Sequence, residues 1–164
     1  MSEIKIVIQD KIFTSNDTTN LVLPLFLDYD GIYFPGNQWT DFADILNMWA
    51  NTLLQQIGEN ESKFILYFMD GPYRLDVTKD REMKLTIRCV NFRDVELIEL
   101  AIQCEYVDLL KAVYKAVNKF SRILYDQEMH QDKYKVVYKQ SLITSKELKA
   151  AIDRLQHKPG NSSK

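Results

Sequence analysis

Five aspartates in the first half of the chain are candidates for acid–base chemistry. Asp28, Asp30, Asp41, Asp44 and Asp70 fall at strand ends, turns or a helix start. Two such carboxylates can serve as acid and base in a hydrolase, provided the fold holds them at a working separation. Asp also favours these positions for local hydrogen bonding, and nothing in the spacing fixes a pair. Glu128, His130 and Asp132 form the one local group with metal-type side chains. Alternate spacing places them on one face of a strand but spreads them around a helix, where ligands recur at i, i+3 or i+4. His157 has no evident partner that would make it a base. Five glycines are scattered without forming a phosphate-binding loop. Cys89 and Cys104 are too few and too widely spaced for a disulfide framework or a zinc site. Neither a cofactor nor a metal is expected.

The elements that position these groups show in the periodicity. Ile4, Ile6 and Ile8, then Leu21, Leu23, Leu25 and Leu27, alternate as two N-terminal strands joined by the polar stretch TSNDTTN. Pro24 lacks an N–H, which predicts that the second strand is an edge or is interrupted there. Between residues 40 and 57 the period changes. Phe42, Ile45, Leu46, Trp49, Leu53 and Ile57 recur at helical intervals, with Thr40 as cap and Gly58 as stop. Asp41 and Asp44 then lie at the positive end of this helix. A second helix from about residue 107 carries Leu110, Val113, Val117, Phe120 and Leu124 on one stripe, with Lys111, Lys115, Lys119 and Arg122 away from it. Residues 126–143 blur, reading as a helix continuation or an irregular arm. Thr144-Ser-Lys-Glu147 has the form of a capping box that opens a short closing helix.

FMDGPY, residues 68–73, suits a hairpin with a type II′ turn on Gly71-Pro72, since Gly takes the positive φ and Tyr73 supplies the closing N–H. That register pairs Phe68 with Leu75 and Leu66 with Val77 on one face, and Met69 with Arg74 on the other. A loop at residues 79–81 then pairs Val77 with Met83, and one at Arg93-Asp94 pairs Cys89 with Ile98. The apolar sets share a face, which predicts a four-stranded antiparallel meander over residues 63–104. The other face sets Asp76 beside Lys84 and Arg88 beside Glu99, and leaves Ile65, Tyr67, Met69, Val90 and Leu97 for helices, a partner or a second copy to cover. The expected fold class is α+β. An antiparallel sheet, made of the N-terminal strand pair plus the meander, carries two main helices on one face and a short C-terminal helix. The 164 residues suit one domain, residues 1–157, with 158–164 a tail of disordered composition.

Charge is spread unevenly. Residues 1–62 hold two bases against nine acids, −7; residues 133–164 hold eight against two, +6. The whole chain is −2 with a pI near 5.7, which disfavours a long polyanion as ligand even though Tyr134 and Tyr138 are interleaved with the C-terminal lysines. No apolar run is long enough for a membrane span, and the N-terminus MSEIKIVIQD lacks the apolar core of a signal peptide. A cytoplasmic location is expected.

The strings FPGNQWTDFADILNMWANTL and FILYFMDGPYRL resemble an uncharacterised bacterial family with a Trp-x-Asp-Phe helix start and a Phe-Met-Asp-Gly-Pro-Tyr turn. The resemblance covers about residues 34–77 and carries over no catalytic residues. It has the look of an immunity protein, which implies binding and neutralising a toxin. The expected function is therefore non-enzymatic binding of another protein, such as a basic toxin, with Asp28, Asp30, Asp41 and Asp44 as the acidic contact surface. The competing expectation is a small-molecule enzyme with one of these carboxylates, beside a tyrosine such as Tyr73, in a helix–sheet pocket.

Overall fold

Alternating isoleucines make β1 (Ile4–Ile8), and their side chains are buried while Lys5 is exposed. The computed structural model describes residues 2–14 and 20–157; the expected tail at 158–164 lies outside the described residues. β1 and the short β2 (Phe13–Thr14) pair antiparallel with β3 (Leu21–Tyr29), as do β4 (Ile32–Phe34) and β5 (Thr40–Phe42). Tyr29 pairs with both Ile4 and Ile32, and Val22 with both Phe13 and Phe42, so β3 is the centre of a five-stranded sheet. The expected strand pair is thus larger, and β3 is not an edge. Pro24 is tolerated because it stands at the joint between the β1-paired and β2-paired halves, where only its carbonyl is used, accepting from Gln9 N at 3.2 Å.

Helix α1 (Asp44–Gln56) begins at Asp44 rather than Thr40. Residues 40–42 go instead to β5, whose ladder continues through Ala43 N to Leu21 O at 2.8 Å, so no side chain caps the helix. Its stripe of Ile45, Leu46, Trp49 and Leu53 is buried, as the spacing demands.

The meander is present as β6 (Ser62–Tyr67), β7 (Tyr73–Lys79), β8 (Lys84–Asn91) and β9 (Leu97–Glu105), each bonded to the next. Apart from the stretch of the last hairpin beyond a bulge, every hairpin differs from the expected register by an even number of residues. Leu66 pairs with Leu75, Val77 with Ile87 and Leu85 with Cys104. An even slip keeps each side chain on its face, so Leu66, Phe68, Leu75, Val77, Leu85, Ile87 and Ile102 are all buried. The loops are longer than the shortest turns because side chains hold them open. Asp80 Oδ1 accepts from Glu82 N and Lys84 N at 2.9 and 3.0 Å, and Phe68 N, not Tyr73 N, closes the first loop by donating to Tyr73 O at 3.1 Å. A bulge between Cys89 and Val90 also places Val90, not Cys89, opposite Ile98.

Helix α2 (Tyr106–Asp126) follows β9 directly, opened by a capping box in which Glu105 and Asp108 exchange backbone bonds. Its apolar stripe is buried. After a short 3-10 turn (Met129–Gln131), α3 (Lys135–Gln156) runs for 22 residues. The short closing helix is therefore the second half of a long one, and the Thr144 capping box is a mid-helix coincidence. Thr144 is buried and donates its hydroxyl to Asn47 Oδ1 of α1 at 2.6 Å. On either side of it in α3, the Ser141 hydroxyl lies 2.8 Å from that of Ser121, and Ser145 donates to Asn118. One core draws on both sheets and all three helices, giving the α+β class. No helix among the described residues is long and apolar enough to cross a membrane.

Candidate functional site

The four aspartates expected to form one acidic surface are not brought together. Asp28 and Asp30 flank the β3–β4 turn, where Asp30 and Gly31 take left-handed φ of 58° and 82° and Gly31 N donates to Asp28 Oδ1 at 3.0 Å. Ser2 Oγ donates to Asp30 Oδ2 at 2.9 Å. Asp41 pairs with Leu23, five positions along β3 from Asp28 (23 to 28), about 17 Å at strand rise. Asp44 is exposed in the first turn of α1.

Asp41 is not a surface residue: its relative exposure is 0 %. Because it lies in β5 and not on a helix, its side chain turns inward from the sheet, two positions from Trp39 on the same strand face. Oδ1 accepts from Phe42 N at 2.7 Å, Met69 N at 3.1 Å and Asp70 N at 3.2 Å; Oδ2 accepts from Trp39 Nε1 and Asp70 N, each at 3.2 Å. The carboxylate thereby clamps the loop of the first hairpin onto the other sheet. It also explains the register difference, since it draws the Met69 and Asp70 amides away from β7. Burial pushes the Asp41 carboxyl above its ordinary value, opposed by the N–H donors from Phe42, Trp39, Asp70 and Met69. Above the clamp, Trp39 meets Tyr73 edge-on at 5.0 Å, Tyr73 meets Phe34 at 5.6 Å, Phe34 meets Phe68 at 5.7 Å and Phe68 meets Trp49 at 5.1 Å. A carboxylate enclosed this way, with both oxygens already accepting, has no lone pair facing a substrate. The Trp39-x-Asp41 spacing was the available sign: alternate residues of a strand share a face.

The other reactive side chains are separated or quenched. Cys89 and Cys104 are free, and burial pushes both thiols up to about 12, so neither is a thiolate nucleophile near neutrality. Glu128 takes a left-handed φ of 59°, His130 stacks on Tyr125 at 4.3 Å, and Asp132 accepts from Tyr134 N at 2.8 Å; among the described residues no three His, Cys, Asp or Glu side chains are grouped so as to hold a metal ion. His157 ends α3 and is exposed. Between α1, α2 and α3 a cavity of about 210 Å³ has Asp44, Asn47 and Thr144 in its lining, below the size typical of ligand pockets, about 300–1,000 Å³.

What stands out instead is the outer face of the meander. Tyr67, Arg74, Val90 and Ile98 are successive partners across the four strands. Val90 is buried in the middle of this row, while Ile65, Tyr67, Met69 and Ile98 around it are 42 to 53 % exposed. Arg74 donates to Asp76 at 2.8 Å and Glu96 at 2.6 Å, and its guanidinium lies 5.2 Å from the Phe92 ring centroid. Hydrogen bonds donated to these two carboxylates raise the Arg74 pKa, so the positive charge at the centre of the face is held and internally paired. The predicted Asp76–Lys84 and Arg88–Glu99 pairs give way to this arrangement, since the register sets Asp76 opposite Arg88 and Arg88 opposite Ala101. Ile98 and Phe92 were not legible as members of this surface, because the bulge that turns Ile98 outward leaves no mark in the alternation. Comparison with family models, with curated proteins and with solved structures found no match.

Proposed function

We propose that the protein works by binding another protein, with the outer face of the meander as the contact surface. The observation that carries this is an apolar patch of Ile65, Tyr67, Met69 and Ile98 open to solvent around an Arg74 already paired with Asp76 and Glu96. Patches of this kind, apolar with their charges internally paired, suit docking against a complementary surface. Neutralising a toxin, the role implied by the resemblance to immunity proteins, is one form of such binding. In that form Asp28, Asp30 and Asp44, outside the contact face, steer a basic partner at a distance rather than forming one acidic patch, and the enclosed Asp41 takes no part.

The test is affinity purification from the native cell with Tyr67→Glu and Ile98→Glu as variants and Met48→Glu, an exposed residue of α1, as control. A stoichiometric protein captured by wild type and by the control, and lost with both sheet variants, is the expected result. Recovery of the protein alone, or equal capture by all four, overturns the reading. A concentration-dependent mass in light scattering that the same variants abolish assigns the face to self-association instead.

A further inference from the structure

Independently of that face, β1 offers an unpaired strand edge beside a row of lysines. The bond from Gln9 N to Pro24 O sets the phase of the β1–β3 ladder. In the observed register, residues 5 and 7 then bond to β3, while the N–H and C=O groups of Ile4, Ile6 and Ile8 point the other way. β3 is the one strand that pairs with β1 among the described residues. The edge borders a groove of about 640 Å³, with residues 2–8 along one wall and α2 along the other. Ala112 and Ala116, both buried, keep the helix wall low, and Lys111, Lys115 and Lys119 line it at four-residue intervals. β1 and α2 run side by side in the same direction: Lys115 Nζ lies 3.9 Å from Glu3, and Gln127 donates to Asp10 O at 2.8 Å.

The geometry points to a docking site for an extended acidic segment of another protein, which adds as a strand to β1 and places its carboxylates on the α2 lysines. Two spacings agree. Lysines four apart on a helix recur every ~6 Å, and alternate side chains of a strand recur every ~6.6 Å. A segment with Asp or Glu at every second position therefore meets all three lysines while its backbone bonds to Ile4 and Ile6, the more accessible part of the edge. The pairing of Lys115 with Glu3 is long and solvent-exposed, and it gives way readily to a closer carboxylate. Proteins commonly blunt an open edge with a bulge or a proline, and β1 has neither over its five residues.

The probe is a short fluorescent peptide with glutamate at every second position and threonine between, followed by anisotropy. Binding is expected to weaken about tenfold in the Lys111→Gln, Lys115→Gln, Lys119→Gln variant and to fall as salt is raised. Methylating the peptide amides that face β1 is expected to abolish binding, while methylating the alternate set leaves it intact. Amide exchange at Ile4 and Ile6 should slow on binding, and Tyr67→Glu should have no effect. No binding, equal binding of a same-composition peptide with its glutamates in one block, or equal competition by single-stranded DNA each overturns the proposal, the last by showing a generic anion site.

Discussion

Replacing Asp41 with alanine is expected to lower the unfolding free energy by about 3–5 kcal/mol, a large share of the roughly 5–15 kcal/mol available to a domain. The size follows from what is left behind. Three backbone N–H groups, of Phe42, Met69 and Asp70, and the Trp39 indole N–H lose an acceptor that is itself fully enclosed. Leaving buried donors unsatisfied costs more than the bonds themselves contribute. A urea titration should show a lower midpoint with little change in slope, and Asp44→Ala, at an exposed helix start, should cost under about 1 kcal/mol. Equal midpoints for Asp41→Ala and wild type would refute the clamp. Asp41→Asn isolates the charge. Because the folded carboxyl holds its proton more tightly than the unfolded one, the folded state carries the extra proton between the ordinary value of 3.8 and the raised one. The advantage of wild type over Asp41→Asn is then greatest below pH 3.8 and declines as pH rises through the raised pKa. An advantage that grows over that range would mean the N–H donors outweigh burial.

Gly71→Val should be nearly as damaging, at about 2–4 kcal/mol. Gly71 has φ +76°, a region that β-branched residues avoid, and an added Cβ would lie 2.9 Å from Trp39 Cη2 and 2.9 Å from Tyr73 Cε2. Neither ring can retreat freely, since Trp39 is tied to Asp41 and Tyr73 is wedged between Trp39 and Phe34. The substitution thus acts on the clamp from the opposite side, and intrinsic fluorescence should report the displaced indole along with the lowered midpoint. Gly58→Ala is the matched control: its Cβ would enter open space and its φ is not positive, so it should be neutral or slightly stabilising. A Gly71→Val protein with wild-type stability would show that the loop shifts at no cost.

Face assignments were legible in the sequence because they depend on parity, which survives any even slip. Leu75 and Leu85 are both buried on the core side although neither has its predicted partner. Partner assignments were not, because Asp41, far from its loop in sequence, and Asp80, within its own, lengthen the loops through side-chain bonds that turn templates omit. Helix α3 was blurred for a related reason. Ser141 and Thr144 occupy core-facing positions where the periodicity needs apolar residues, and their hydroxyls are satisfied by groups on α2 and α1 that local sequence does not show. At the candidate site, Tyr67 and Ile65 could be placed from alternation alone, whereas Ile98 needed the bulge and Asp41 needed the knowledge that residues 40–42 are strand.

Those same hydroxyls decide where α3 can rest. Slid along its axis by one turn, about 5.4 Å, the helix would still cover grease with grease, yet Thr144 would part from Asn47 and Ser145 from Asn118. The contacts behave as a keyway. They add little to the strength of the joint but admit a single alignment, which keeps the ends of the three-helix layer in fixed positions.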